Sequence, residues 1–363
     1  MSQEHLVEVI TVVRWIYTGN KLHTDLSNYL CGKTTLPVLP SSIDIDMTNV
    51  CNQDCFYCNS ADFRSRFLDT PKIDKFINLI DKLADWRTHT PLSAGTVRNI
   101  NFTGGGEPTV HPQYHKIIEH ALDRNFLVTL ITNGSKLDKL AKNLSPEKAQ
   151  RIIWIGVDVD SAVSKTYEDI RQSLTTYNML DRVKANIKLA VQAGINVDIK
   201  GLLMEHNTTD EEITALFKMV KDTGARQLHI RPMYDLQTKK IFEVTDKLKN
   251  KIQAISKLTN VKYNLPENRK EPRTYTKCHQ MFLYTIFAAN GDVNVCCESR
   301  GDRSFTIGNW LEEDVRDFWM GERHMQVYNT VNTMQCPPCK PNKMNNIIQK
   351  DINNNSLLER QIM

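Results

Sequence analysis

Where the cysteines fall constrains this 363-residue chain more than any other feature. Cys51, Cys55 and Cys58 make one tight group, Cys278, Cys296, Cys297, Cys336 and Cys339 make a second, and Cys31 stands apart. No cysteine lies between Cys58 and Cys278. Disulfide frameworks are short secreted chains with cysteines spread throughout, so this clustering points to two sulfur-ligand sites in a reduced, cytoplasmic protein. The amino terminus agrees, since Glu4 and Glu8 stand where a secretory signal would be basic and then apolar. The longest apolar stretch, near Met281 to Ala289, is about half of what a membrane helix requires, and no membrane partner is expected.

With 40% hydrophobic and 24% charged residues, the composition is that of a globular protein of about two domains. The formal net charge of +4 comes without a basic and aromatic cluster, which disfavours a nucleic-acid partner. Residues His5 to Tyr17 carry apolar side chains at helical spacing and predict a leading helix. From Ser42 onward, strand-like runs (Ile43 to Met47, Val97 to Phe102, Leu127 to Thr132, Ile152 to Asp158, Asn196 to Leu203, Gln227 to Arg231) alternate with helical ones (Lys72 to Trp86, Gln113 to Arg124, Tyr177 to Ala193, Thr209 to Asp222). That pattern predicts an α/β fold, a partial (β/α)6 barrel or a curved doubly wound sheet. Beyond Asp235 come a charged helical run, Phe242 to Leu258, and a hairpin in which Asn290-Gly291 separates Phe282 to Ala289 from Val293 to Cys297. The asparagine-rich last twenty residues predict a frayed end. The expected division is an N-terminal helical extension (1–40), the barrel (41–235), a helical linker (236–272), a small β-hairpin-plus-helix domain (273–345) and a tail (346–363).

The first cysteine group directly follows the first expected strand, at the end of a βα sheet where ligands gather. Its C-x3-C-x2-C spacing fits poorly with structural zinc, which takes four ligands in two pairs. Three thiolates on a cubane cluster would leave one iron open, as a catalytic site requires. A buried loop or zinc knuckle is the plain alternative. With Tyr57 before the third cysteine, the motif resembles that of the radical S-adenosylmethionine superfamily. Further segments appear in the family's order: Thr103-Gly104-Gly105-Gly106-Glu107-Pro108, Ile131-Thr132-Asn133-Gly134, and Ile155-Gly156-Val157-Asp158-Val159-Asp160-Ser161. The resemblance covers residues 40 to 235. It implies that Cys51, Cys55 and Cys58 hold a 4Fe-4S cluster whose open iron chelates S-adenosylmethionine, with Tyr57 near the adenine. It implies further that Gly105, Gly106 and Glu107 bind the methionine amino group, that Asn133 ends the third strand beside the cosubstrate, and that Asp158 contacts the ribose in place of the usual serine. Lys200 and the Glu205-His206-Asn207 segment are candidates for the cosubstrate carboxylate or adenine. His229, Arg231 and Tyr234 are candidates to face the substrate, with an ordinary structural role as the alternative for each.

In the second group, two prolines stiffen Cys336-Pro337-Pro338-Cys339 and help aim both sulfurs at one centre. Four sulfurs make a closed site, structural or electron-transferring, and from the residues alone zinc competes with iron and sulfide. Cys278, the Gly291-x4-Cys296 spacing and Cys336-x2-Cys339 resemble the shortened (twitch) form of the SPASM-like auxiliary domain in one branch of that superfamily. The resemblance implies one auxiliary 4Fe-4S cluster on Cys278, Cys296, Cys336 and Cys339. Adjacent strand residues point to opposite faces, so only one of Cys296 and Cys297 is expected to reach the cluster, and the glycine spacing favours Cys296. Cys31 and Cys297 remain, either as small buried residues or as thiol hydrogen-atom donors.

What the resemblance implies is a radical enzyme, an oxidoreductase or epimerase. Reductive cleavage of S-adenosylmethionine would give a 5′-deoxyadenosyl radical that takes hydrogen from an unactivated C–H, and the auxiliary cluster would assist electron transfer. A ribosomally made peptide is the expected substrate, to be oxidised, cross-linked or epimerised. Oxidation, epimerisation or dehydration of a sugar or aminocyclitol in natural-product biosynthesis is the alternative, kept open because residues 1–40 show no recognisable leader-binding domain. A flavodoxin- or ferredoxin-type protein would supply electrons. A non-catalytic metal-binding or redox-relay protein is the reading of another class.

Overall fold

Strand and helix alternate along the chain in a computed structural model that describes residues 20–35, 37–89, 97–174, 178–235, 238–265, 272–337, 339 and 341–362. The expected leading helix, His5 to Tyr17, lies outside the described residues. The strands are β1 (Ser42–Asp46), β2 (Asn99–Thr103), β3 (Leu127–Thr132), β4 (Ile152–Asp158), β5 (Val197–Leu203), β6 (Leu228–Pro232), β7 (Tyr234–Asp235), β8 (Lys240–Ile241), β9 (Tyr263–Asn264), β10 (Tyr284–Phe287), β11 (Asp292–Asn294) and β12 (Thr306–Asn309). The chain divides into two units, one of Asp46–Pro71 and Asn101–Glu267, the other of Met1–Ile45, Lys72–Ile100 and Asn268–Met363.

The unit containing residues 101–267 is an α/β structure on an open sheet ordered β2–β3–β4–β5–β6–β9. The pairs β3–β4, β4–β5, β5–β6 and β6–β9 are parallel. Parallel strands need long crossovers, and helices supply them. Helix Tyr114–Asp123 buries Tyr114, Ile117, Ile118, Ala121 and Leu122, and Asp210–Thr223 buries Ile213, Leu216, Phe217 and Val220. Each fully buried Leu, Ile or Phe contributes about 1.5–3 kcal/mol. Caps fix the boundaries of the second helix. Thr209 accepts from the Glu212 amide, and Gly224 ends the helix with a left-handed φ of 74°. The six expected strands are all present, shifted by at most two residues at their ends.

Three differences have identifiable causes. The helix expected from Phe242 starts at Asp246, because Thr245 caps it and β7–β8 form a short antiparallel ribbon before it. After that helix the chain adds β9 parallel to β6, a seventh strand too short to register as a pattern. Lastly, the Asn-rich end is not frayed: Asn342–Ile362 is helical. Asn345 and Ile348 on that helix are fully buried, and Asn346 accepts from the Thr274 amide at 3.0 Å, so its polar residues are consumed by neighbouring backbone.

In the other unit, β10 pairs parallel with β1 and antiparallel with β11, which pairs antiparallel with β12. The Asn290-Gly291 turn joins β10 to β11 as expected, with Gly291 at φ +93° and Asn309 Oδ1 only 2.5 Å from where a Cβ would stand. The hairpin strands are shorter than expected. Residues His279–Phe282 form a 3-10 turn before β10, and Cys297–Ser299 form another after β11.

Asp198 at the start of β5 shows what polar side chains do on this sheet. Its buried carboxylate accepts from Arg226 at 2.7 and 2.9 Å, from His229 at 2.9 Å and from Gln227 at 3.1 Å. Burial alone would raise its pKa, but the bonds from His229 and Arg226 outweigh it and hold the carboxyl below its ordinary range. A depressed folded pKa contributes stability that is present above the unfolded value and lost as pH falls through the folded one. Asp198→Asn should therefore cost about 1–3 kcal/mol at neutral pH. In thermal denaturation the gap from the parent should close below about pH 4, and a gap independent of pH would contradict this account.

Candidate functional site

The loop from Cys51 to Cys58 is clamped on two sides. On one, Gly106 N donates to Thr48 O at 3.0 Å and Glu107 N to Val50 O at 2.9 Å. The approach is so close that a Cβ on Gly106 would lie 2.2 Å from Val50 O, and one on Gly105 would lie 2.5 Å from Asn49 Oδ1. These glycines are therefore required by the chain itself. On the other side, Asp54 N donates to Arg171 O, Leu174 N donates to Asn52 O, and Gln53 bridges to Ser173. Side chains complete the clamp, as Gln53 donates to Tyr167 Oη at 2.9 Å and Asn52 to Ser135 Oγ at 3.0 Å.

Glu107 is the buried anchor of this arrangement. Its Oε1 accepts from Thr109 N, Thr109 Oγ1 and Thr132 Oγ1 at 2.9, 2.6 and 2.5 Å, and its Oε2 from Asn133 N at 2.7 Å. Burial pushes its pKa up, and these four donors pull against that. Only Oε2 keeps appreciable capacity to accept a further donor. Asn133 is also engaged, donating to Asn52 Oδ1 at 2.9 Å and accepting from Ser135 N at 3.0 Å.

Beside Cys55 lies a charged cluster in which Arg171 joins two motif residues, Tyr57 and Asp160. Arg171, at the end of helix Ser164–Arg171, is 2.9 Å from Asp160 Oδ2 and donates to Cys55 Sγ at 3.7 Å. The Tyr57 hydroxyl donates to Asp160, and Leu202 N reaches Asp160 Oδ1 at 2.8 Å. Asp160 adopts a left-handed φ of +63°. Arg171 Nη2 is buried with no hydrogen-bond partner. Asp160 belongs to the strand motif Ile155 to Ser161, whereas Arg171 lies outside every sequence motif. Asp158 sits differently: it is a third exposed and pairs with Lys200 at 3.1 Å. Burial would raise its pKa, yet Lys200, Arg171 and Arg231 hold it below the ordinary range. Asn207 spends its amide on Asp160 O, Leu202 O and Met204 N, all within 2.9 Å. His206 is exposed, with its ring 6.1 Å from that of Phe56. Arg231 and Tyr234 are half-buried, and His229 faces Asp198.

The second sulfur group gathers within the other unit. Cys278 opens the 3-10 turn His279–Phe282, and Asn345 from the C-terminal helix donates to its Sγ at 3.8 Å while accepting from Gln280 N at 2.8 Å. Burial, then neighbouring Cys278, pushes Cys339 up to about 12, and Cys336 and Cys297 also act on it. Cys278 itself is pushed up to about 11 by burial, with Cys336 adding to the effect. Cys296 is raised further by its bond with Cys297 and by burial. Strand alternation does not limit the ligand to one of Cys296 and Cys297, because β11 ends at Asn294 and Cys297 already lies in a turn; the spacing from Gly291 that favours Cys296 is unaffected. Cys31 is half-buried; burial raises the Tyr328 hydroxyl, and Cys278 and Cys31 add to the effect, so Cys31 too stands near the second group.

Among the described residues, no three His, Cys, Asp or Glu side chains are gathered around a single-ion position. In the first loop, burial, with Glu107 adding, pushes Cys51 up to about 12. Burial likewise raises Cys55, and Arg171 opposes it. Three half-buried thiols in a clamped loop beside an unpartnered cationic nitrogen suit an anionic thiolate cluster, and the five of the second group include the four that a closed one takes. No helix among the described residues is long and apolar enough to cross a membrane.

Comparison with known proteins agrees with this chemistry. Residues 45–220 match the radical SAM superfamily, and residues 278–342 match an iron-sulfur cluster-binding domain called SPASM. The chain is 27% identical over 192 residues to an AdoMet-dependent heme synthase of Methanosarcina barkeri, covering 53% of this chain and 50% of that protein. It is 28% identical over 205 residues to a GTP 3′,8-cyclase of Bradyrhizobium diazoefficiens (54% of each) and 27% identical over 188 to the subtilosin biosynthesis protein AlbA of Bacillus subtilis (52% and 38%). The chain thus spans about half the length of the first two curated relatives and less of the third. Among solved structures, Streptococcus suis SuiB bound to S-adenosylmethionine has a TM-score of 0.62 at 15% identity, covering 85% of this chain and 73% of that one. SuiB bound to its precursor peptide SuiA scores 0.61, also at 15% identity, covering 84% and 69%.

The buried Arg171–Asp160 pair gives a direct test of this geometry. Arg171→Met strands a buried carboxylate and should cost about 3–5 kcal/mol in denaturant unfolding. Adding Asp160→Asn should recover part of that loss, and simple additivity of the two changes would show that the pair is not coupled.

Proposed function

The chain belongs to the radical S-adenosylmethionine superfamily, in the branch with a C-terminal iron–sulfur domain, and from that premise we propose that it modifies a ribosomally made peptide. Membership brings S-adenosylmethionine and a 4Fe-4S cluster to the first domain and further iron–sulfur chemistry to the second. The observation that carries the reading is the separation of the thiols: three in the clamped loop after β1, and five in a group built from a different part of the chain. Bound there, the cofactors would supply hydrogen abstraction from an unactivated C–H and a second redox centre.

The residues of the chain do the rest. Cys51, Cys55 and Cys58 hold the catalytic cluster, while Gly105, Gly106 and Glu107 keep the loop rigid and offer Glu107 Oε2 toward the cosubstrate's ammonium. Tyr57, braced by Asp160, faces the adenine. Asp158 and Lys200, already paired, offer a carboxylate to the ribose and an ammonium to the cosubstrate carboxylate. Asn133 and Asn207 act by bracing the loops that carry these groups. Cys278, Cys336 and Cys339 hold one auxiliary cluster with Cys296 as the fourth ligand, and Cys297 and Cys31 are the thiols left for hydrogen donation. The barrel is 41–235 and the auxiliary domain 273–345, in a cytoplasmic protein reduced by a flavodoxin or ferredoxin.

Support for a peptide comes from AlbA, a bacteriocin biosynthesis protein, and from SuiB, seen with a precursor peptide. The similarity to a GTP 3′,8-cyclase favours a small molecule as the second reading. Anaerobic reconstitution should give about eight irons per chain, and dithionite with S-adenosylmethionine should release 5′-deoxyadenosine. Loaded clusters that release none would count against radical chemistry. A candidate precursor peptide should raise that release and change in mass, whereas stimulation by nucleotides or sugars alone would favour the second reading.

A further inference from the structure

We propose that Arg273 is the positioning residue of the second sulfur site, clamping the Cys336–Cys339 turn and setting the reduction potential of the cluster held there. Its planar guanidinium donates from Nη1 to Thr333 O and from Nη2 to Cys336 O at 3.0 Å and Pro337 O. Three carbonyls of one turn thus converge on one side chain. A lysine could not reproduce this, because the pattern needs a rigid fork of donors. The same turn is tied again by Thr333 Oγ1, which donates to Thr276 O at 3.0 Å and Tyr275 O at 3.3 Å. The segment from Arg273 to Cys278 therefore carries one sulfur and also the clamp for two others.

The charge matters as much as the geometry. Arg273 is half-buried. The bonds from Nη2 to the carbonyls of Cys336 and Pro337 place the guanidinium charge directly against the backbone that carries one of the sulfurs. A cation beside thiolate ligands stabilises the more negative, reduced cluster and so raises its potential. Arg273 lies outside both cysteine motifs, which is why spacing does not reveal it.

This inference rests on the reading that Cys336 and Cys339 are ligands, so the test separates the two. Full-length parent, Arg273→Gln, Arg273→Lys and Cys339→Ala proteins would be reconstituted anaerobically, assayed for iron and titrated by electron paramagnetic resonance. Cys339→Ala should lose about half of the iron and the signal of one cluster, and retention of both clusters would overturn the ligand reading itself. Arg273→Gln should keep both clusters, lower the potential of the second one and release its iron to a chelator about tenfold faster or more. Arg273→Lys should release iron faster as well, yet hold a potential near the parent's because the charge remains. Parent-like potential and iron release in Arg273→Gln would overturn the proposal. So would faster release with the potential unchanged in both variants, which is what a purely mechanical role produces.

Discussion

A buried carboxylate holds the first sulfur site together. Glu107 lies between the ends of β2 and β3 with four donors on its two oxygens, while its own amide donates to Val50 just before Cys51. An ionised group without water is costly unless it is fully hydrogen-bonded, and here the carboxylate's bonds come from two stretches of chain, Thr109 and Thr132-Asn133, while the backbone amide ties in a third at Val50. Satisfying Glu107 therefore also fixes the glycine turn, the Thr132-Asn133 corner and the start of the cysteine loop. The glycines follow as a consequence, since no side chain fits where their backbone meets Asn49 and Val50.

Around this anchor, charges are arranged by what the sulfurs require. Thiols that burial pushes up are a poor ground state for thiolate chemistry, so each site needs cations or hydrogen-bond donors close by. The first has Arg171 against Cys55, held in place by Asp160. In the second, Asn345 stands against Cys278 and Arg273 against the Cys336 turn. The two sites share a logic although they are built from different elements, and none of these partners belongs to a cysteine motif.

Much of the fold was legible in the residues. Strands β3 and β4 begin and end where their apolar runs do, because a strand buried on both faces is a continuous hydrophobic block. Asn290-Gly291 announced its hairpin, since only such a pair accepts the turn. The C-terminal helix was not legible. Its asparagines look like a solvated end, and become structural only when Asn345 meets the backbone of Gln280 and the sulfur of Cys278. The alternation rule does not reach Cys296 and Cys297 for a related reason: it holds only while the chain stays extended, and β11 ends before either, so the preference for Cys296 rests on its spacing from Gly291 alone.

By itself, then, the sequence determined the number and grouping of the sulfurs, the order of the motifs, and the alternation that builds an open parallel sheet. These are local properties, written in spacing and hydrophobic period, and they survive without knowledge of distant contacts. Tertiary structure decided which polar side chains serve the sulfurs and which serve the scaffold. It paired Lys200 with Asp158, spent Asn207 on backbone, and brought Arg171 and Arg273 to cysteines whose motifs do not include them. A charge reaches through space rather than along the chain, so its partner is known only once the fold has placed both.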